Sequence, residues 1–556
     1  MPTPIEDTVL ARVEQALRDG RTDEAAALLD QARDHPADDP HVLLVRGLVG
    51  IERGASAEAL AHLTSALQRA PDLWRARLAR AAVLRDLGRL DEAVADLELT
   101  AAADDAGIHN GRGLLLEQMG RLERAAHAYE AALAIDPDDQ AAAEGRARVA
   151  IQRAESGAVV HCRRALAFRN DDPALQLQMI VTAAVELGTE AMPLLEDFVQ
   201  RHPGSTHAQE RLAELRAEAG HGERLADAYV DALRRRPADK ALHLSYWGTL
   251  SRAGYHHQAL AMIDQARERY GSDRDVALLE ARIASHAGTL DRAGALLARL
   301  DERTDAQLAR GQHRLQSGRP VEGAQLLEEV VRAEPRNLAA WALLALSWRL
   351  TGDPRHDWLC LQPGLYGTSE LPLTEAELGA LADVLRGLHR SFAQPLGQSV
   401  RGGTQTAGKL FMRSEPEIVR LTHALSQAVS AHFAKLPPGD PRHPLLRHRS
   451  GRLTFAESWS VRLTGGGFHV AHLHPGGVLS SACYVSLPPG LGAGEPQEGW
   501  LELGRPPAEL GIDLPPLAQI EPRPGRLALF PSYMFHGTRP FRAGERLTVA
   551  FDVAAL

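Results

Sequence analysis

Apolar residues recur at helical spacing through the first part of the chain: in stretches such as RLDEAVADLELTAA, after Gly88, alanine, valine and leucine fall on one face. A glycine, followed about five residues later by a small residue, punctuates this pattern at a regular distance. Gly20, Gly54 and Gly88 are 34 residues apart, Gly120 follows after 32, Gly220, Gly254 and Gly288 are again 34 apart, and Gly318 and Gly352 follow after 30 and 34. Gly157 and Gly188 fit with irregular steps of 37, 31 and 32, so the stretch near 140–220 reads as degenerate. Prolines at 71, 137, 237 and 335 each stand 17 residues after their glycine, where a second helix must stop because proline cannot continue it. The pattern predicts about ten helix hairpins, each turning at its glycine.

One such hairpin cannot bury its own apolar face, so neighbours must stack, and the expected result is a superhelix with a concave docking surface. The period, the turn glycine and the stop proline resemble the tetratricopeptide-repeat (TPR) family over about residues 5–354. That resemblance implies binding of a protein or peptide; a scaffold or dimerisation arm is the alternative.

Beyond Asp353 and Pro354 the period ends, and short β-branched runs separated by turn residues take over. Strands are predicted at 454–463, 466–474, 478–487, 499–503, 525–531 and 545–553, with flanking helices at 372–390 and 415–435. The first helix opens on Leu373, Thr374 and Glu375, and the second carries Pro416 and Glu417 in its first turn. The expected fold class is multidomain α + β: a helical solenoid over 1–354, then a sandwich or barrel with flanking helices over 355–556.

Charge and cysteine content narrow the partners. A net charge of -10 with interspersed signs leaves no nucleic-acid footprint. Cys162, Cys360 and Cys483 lie far apart with no CxxC pair, which argues against a disulfide framework or a thiolate zinc site. The start, MPTPIEDTVLARVEQAL, lacks a basic region followed by an apolar stretch, and apolar runs such as Trp341 to Leu346 are too short to span a bilayer. A cytoplasmic protein without membrane or nucleic-acid partners is expected.

The chemistry concentrates in FHVAHLHP at 468–475. On an extended strand His472 and His474 project to one side, with Leu473 opposite and His469 facing away from them. Two histidines spaced i, i+2, joined by one from a distant strand, can hold a catalytic metal with open positions. The candidate for the third is His536, at the end of the apolar run LFPSYMF. Ten residues on, Arg546 shares a strand face with Thr548, and a guanidinium beside a metal calls for an anion.

The run Trp459 to Leu463, the segment His472-Leu473-His474-Pro475-Gly476-Gly477, the run Ser480 to Val485, and Leu529 to Ser532 with His536 and Arg546 resemble the bacterial 2-oxoglutarate/Fe(II) oxygenase family. The similarity extends over about residues 390–553, includes Gln398 to Thr406, and is often found in that family fused to TPR repeats. It implies a double-stranded β-helix of jelly-roll, cupin-like type, with His472 and His536 as iron ligands. It further implies that Arg546 pairs with the distal carboxylate of 2-oxoglutarate, that Tyr484 hydrogen-bonds the same group, and that Thr548 assists. The activity implied is hydroxylation of a C–H bond, on a peptide or protein side chain recruited by the repeats.

The chain departs from the wider superfamily at His474, where a carboxylate ligand is usual. His474 is then a third neutral ligand, or water completes the site, or metal binding is lost. The last case would make the protein a repeat adaptor carrying a degenerate domain; a three-histidine, cupin-like dioxygenase without 2-oxoglutarate is a third reading, against which Arg546 speaks. Trp459, Phe530 and Cys483 are read as core, and His443 and His448, in the polar loop DPRHPLLRHRSGR, as solvent-exposed. Arg401, Gln405 and Arg462 either line the substrate mouth or bridge strands.

Overall fold

A helix that must reverse within a few residues needs one residue with left-handed backbone. In the computed structural model, which describes residues 9–31, 36, 38–99, 105–153, 155, 158–168, 172–187, 192–271, 273–389, 393–394, 396–406, 408–474, 476–492 and 495–555, the predicted glycines supply it. Gly20, Gly54, Gly88, Gly120, Gly220, Gly254, Gly288, Gly318 and Gly352 all have φ between 67° and 85°, a region glycine enters without steric penalty. At Gly54 its own amide donates to the carbonyl of Ile51 and the amide of Ala55 to that of Gly50. This pair of reversed bonds closes a helix end, and it recurs at each of these glycines. Gly157 and Gly188 lie outside the described residues.

The residue five positions after the glycine is small because two helices touch there. Ala25, Ala59, Ala93, Ala125, Ala259 and Ala293 are completely buried, and a Cβ placed on Gly50 would come within 3.1 Å of that of Ala59. The helices Ser56–Arg69, Leu122–Ile135, Asp227–Arg235 and Pro320–Ala333 each end two residues before the predicted stop proline. First helices start on side-chain caps: Asp39, Asp139, Ser205, Asp239, Asp273 and Asn337 each accept from a backbone amide one turn on.

The chain divides into two compact units, Met1–Asp172 and Pro173–Leu556. Among its described residues the first holds helical hairpins alone. The second holds the remaining hairpins, up to Leu338–Thr351, and the sheet-rich region. Trp341, Leu344 and Trp348 of that last repeat helix belong to one hydrophobic core with Leu359, Phe530 and Tyr533 of the sheet-rich region.

The strands are β1 Gly367–Glu370, β2 Val400–Gln405, β3 Leu453–His469, β4 Leu479–Ser486, β5 Leu501–Leu503, β6 Ala518–Ile520, β7 Arg526–Pro531, β8 His536–Thr538 and β9 Glu545–Ala555. They form a six-stranded sheet in the order β1-β7-β4-β9-β3-β2 and a three-stranded sheet in the order β6-β5-β8, with antiparallel pairing throughout. Among the described residues, one isolated bridge joins His472, outside the named strands, to His536 at the start of β8. The helices Glu375–Leu388 and Pro416–Lys435 flank them, the first opened by a reciprocal cap between Thr374 and Glu377.

Two expectations need correction. The segments predicted as 454–463 and 466–474 are one strand that ends at His469, so His472 and His474 lie on the extended loop beyond it. β1, β2, β6 and β8 were not foreseen. They are short, and β2 carries two glycines where its pairing with β3 shifts register between Arg401 and Gly403, which erases the alternating pattern a strand would show.

β9 positions the site. Leu547, Val549, Phe551 and Val553 are buried in the core. The alternate residues Arg546, Thr548 and Asp552 therefore share the opposite face, also buried but polar. Thr548 stands opposite Tyr484 of β4, and Asp552 opposite Ser480.

Candidate active site

The loop after β3 returns to the start of β8, and the two backbones exchange hydrogen bonds: the His472 amide donates to the His536 carbonyl at 3.0 Å, and the His536 amide to the His472 carbonyl at 3.1 Å. This brackets the three predicted histidines. Ring centroids are 4.2 Å apart for His472 and His536, 4.9 Å for His472 and His474, and 4.8 Å for His474 and His536. One nitrogen from each ring lies within 4.8 Å of the others.

The hydrogen bonds decide which nitrogens carry protons. Nδ1 of His472 sits 2.8 Å from the carbonyl of Val470, Nδ1 of His536 3.1 Å from the carbonyl of Met534, and Nδ1 of His474 2.8 Å from a carboxylate oxygen of Asp552. These partners accept, so each Nδ1 donates, and the Nε2 atoms are the nitrogens left to take a metal. Nε2 of His472 and Nε2 of His474 lie 3.0 Å apart, at hydrogen-bond distance, a gap that a proton bridges or a shared cation would span. Burial favours the neutral imidazole at two of the three: His472 is pushed down to about 3, by desolvation first and then by His474 beside it, and burial likewise lowers His536 well below its ordinary value. Neutral imidazole is the form that binds metal, and the residues fit an Fe(II) ion.

The other half of the site is Arg546 and Tyr484. Arg546 is 2% exposed and donates from one terminal nitrogen to the carbonyl of Gly499 at 2.7 Å. Among the described residues its Nε has no partner, nor has the buried hydroxyl of Tyr484. The guanidinium lies 5.1 Å from the centre of the Tyr484 ring, and burial lowers its hold on its proton because no anion compensates it. Burial raises the Tyr484 phenol, which stays protonated as a donor. Two orphaned buried donors are costly unless an anion fills the space between them, and the distal carboxylate of 2-oxoglutarate matches that need. Thr548 is buried opposite Tyr484, with its hydroxyl 3.5 Å from the carbonyl of Val461.

A cavity of about 810 Å³ reaches His472. Arg401, His472 and Phe535 line one side; Tyr255, His256 and His286, from turns and helices of the repeats in the same unit, line the other.

Several expectations change here. His469 does not turn away from the site: its ring stacks on His472 at 5.9 Å and 19°, and its Nδ1 pairs with the Ser399 hydroxyl at 3.0 Å. Trp459 is half-buried: it packs against the apolar cluster of Val400, Val461, Leu463 and Phe541, as expected, and also lies against His474 at 5.2 Å. His443 is completely buried, not exposed: its Nδ1 accepts from the amides of Leu445 and Leu446, and its Nε2 donates to the carbonyl of Leu359. Arg462 bridges strands by pairing with Glu545 at 2.5 Å. Phe530 and Cys483 are buried as expected, Phe530 beside His536. Asp552 is the site residue that sequence reading missed. Its signal was parity, because it stands six residues from Arg546 and so on the same strand face.

The family described as Putative 2OG-Fe(II) oxygenase matches residues 457–552. Two tetratricopeptide-repeat families match residues 106–139, and residues 10–73 and 308–354. TPR-like helices thus form the N-terminal region, and the antiparallel sheet region carries the oxygenase match. Among solved structures, the chain is similar to MamA from Desulfovibrio magneticus (23% identity, 30% of this chain and 95% of that one, TM-score 0.26). It is also similar to a thermophilic TPR protein of Thermus thermophilus (21%, 31% and 96%, TM-score 0.27) and to pilF of Pseudomonas aeruginosa (18%, 37% and 96%, TM-score 0.33). No curated protein matches the chain at significant similarity. Among the described residues no helix is long and apolar enough to cross a membrane.

Proposed function

We propose that this chain, which joins tetratricopeptide repeats to a 2-oxoglutarate/Fe(II) oxygenase domain, is a hydroxylase acting on a peptide or protein side chain. In this reading residues 355–556 do the chemistry and the repeats of 1–354 present the substrate. The observation that carries it is the pairing of three histidines, each with a ring nitrogen within 4.8 Å of the others, with two buried donors, Arg546 Nε and the Tyr484 hydroxyl, that lack an acceptor among the described residues.

His472, His474 and His536 hold the iron, each ring fixed in one tautomer by its Nδ1–H bond. Arg546 anchors the distal carboxylate of 2-oxoglutarate by charge, and the Tyr484 hydroxyl donates to the same group. Thr548 packs beside them. When bound, iron and 2-oxoglutarate would supply the oxidising equivalent for inserting one atom of dioxygen into a substrate C–H bond, with succinate and carbon dioxide as the co-products. The cavity wall formed by Tyr255, His256 and His286 supports a substrate that touches the repeats while its side chain reaches His472.

Anaerobic titration with Fe(II) and 2-oxoglutarate tests the site. The expected result is the weak visible charge-transfer band of the chelate, lost in His536→Ala and in Arg546→Ala, and succinate formation once air and a substrate peptide are added. A folded protein without the band would favour the adaptor reading, for which the histidine in place of a carboxylate at 474 is the motivating observation. A metal-dependent oxygenation indifferent to 2-oxoglutarate would favour the three-histidine dioxygenase.

A further inference from the structure

We infer that Asp552 is the positioning residue of the metal centre, supplying from behind His474 the negative charge that the usual carboxylate ligand would supply directly. This rests on the metal-site reading above.

Asp552 is buried, at 4% exposure. One of its oxygens accepts from His474 Nδ1 at 2.8 Å and from the Ser480 hydroxyl at 2.7 Å. Ser480 in turn pairs with Ser532 at 2.8 Å, and both serines are completely buried. Among the described residues no Lys or Arg nitrogen lies within 4 Å of the carboxylate; its one ionic contact is His474 itself. Neutral donors solvate a buried carboxylate but do not neutralise it, and an uncompensated buried charge is unfavourable. The balancing charge must come from the His474 side, where a cation held on the far nitrogen of that ring would supply it.

The local sequence is shaped around this contact. A Cβ on Gly477 would lie 2.9 Å from the Asp552 Cβ and 3.0 Å from the Ser532 hydroxyl, so the second glycine after His474 leaves room for the carboxylate to reach its ring. The hydrogen bond does two things at once. It holds His474 with Nε2 toward the site, and it makes that nitrogen a stronger donor by drawing on the Nδ1 proton. Of the three histidines, His474 is the one whose ring is held by a carboxylate, and it occupies the position where a carboxylate is usual.

The test uses the full chain and Co(II) alone, read by competition with a chromophoric chelator and by the Co(II) visible spectrum. Asp552→Asn keeps the shape and removes the charge, and should weaken Co(II) binding roughly 10–100-fold with a changed spectrum. His474→Asp would set a second carboxylate against Asp552 and should bind Co(II) more weakly than the double variant His474→Asp/Asp552→Asn, in which that repulsion is gone. An Asp552→Asn protein with the wild-type affinity and spectrum overturns the inference while leaving the metal site standing, as does a double variant that binds no better than His474→Asp. A wild-type chain that binds Co(II) no better than His536→Ala overturns both.

Discussion

The helical repeats and the sheet region meet the same physical problem, charge taken out of water, and answer it differently. In the repeats the buried charges are paired. Asp96 accepts from Arg80 at 2.5 Å, Arg146 reaches Glu130 at 2.7 Å and Glu155 at 2.6 Å, Arg216 reaches Glu196 at 2.8 Å, and Glu280 lies between Arg292 at 2.7 Å and Arg267 at 3.0 Å. On one face of β9, by contrast, Arg546 is buried without an anion and Asp552 without a Lys or Arg partner among the described residues. Such charges are expected where something outside the chain completes them. On the proposed reading, the difference separates side chains that hold the protein together from side chains that take a ligand.

Removing Arg546 probes that contrast most strongly. Arg546→Ala should weaken 2-oxoglutarate binding by about 2–5 kcal/mol, the usual effect of removing one side of a buried charge pair, while Co(II) affinity and the apo-protein's melting temperature hold or rise. A fall in apo stability would mean that the guanidinium is structural after all.

His443 sharpens the contrast among histidines, because its two ring nitrogens are both satisfied within the protein. Burial lowers it from 6.5 to about 4. The folded state resists protonation while the unfolded state takes up a proton below 6.5, so this residue's contribution is complete above that pH and fades as pH falls toward 4. The loss amounts to about 3 kcal/mol at most. Denaturant melts at pH 7 and pH 4.5 should show a shallower acid loss for His443→Gln than for wild type.

A paired charge in the repeats should give a smaller effect with the opposite sign from Arg546. Asp96→Ala is expected to lower stability by on the order of 1–2 kcal/mol, limited because Arg80 can turn to solvent. Thermal melts of the two alanine variants side by side would reverse the comparison if Asp96→Ala proved neutral. Smallest is Gly88→Ala, where φ of 74° is unfavourable for any side chain; the expected loss is about 1 kcal/mol, visible as a slight drop in melting temperature.

The repeats were legible residue by residue because their determinants are local. A turn glycine, the small residue five positions on and the stop proline act within one hairpin, so Gly54, Ala59 and Pro71 report the structure wherever the chain lies. The convergence of His472 and His474 was also foreseen, but by strand alternation, and the chain has left the strand by then. What joins them is the paired backbone of His472 and His536 and the carboxylate of Asp552. His443 was misread because its neighbours in sequence are polar, whereas the residues that bury it, Leu359, Trp358 and Tyr533, are 84 or more residues away in sequence.

The sequence by itself determined the repeat period, the change of architecture after Pro354, and the residue types of the site: three histidines, an arginine and a tyrosine. Tertiary structure alone decided which nitrogen of each histidine is free, that Arg546 and Tyr484 are left without an acceptor, that Asp552 stands behind His474, and that repeat turns wall the cavity. Spacing along a chain encodes which face a side chain takes. Its partner depends on strands and loops far off in sequence, and so does the proton it carries.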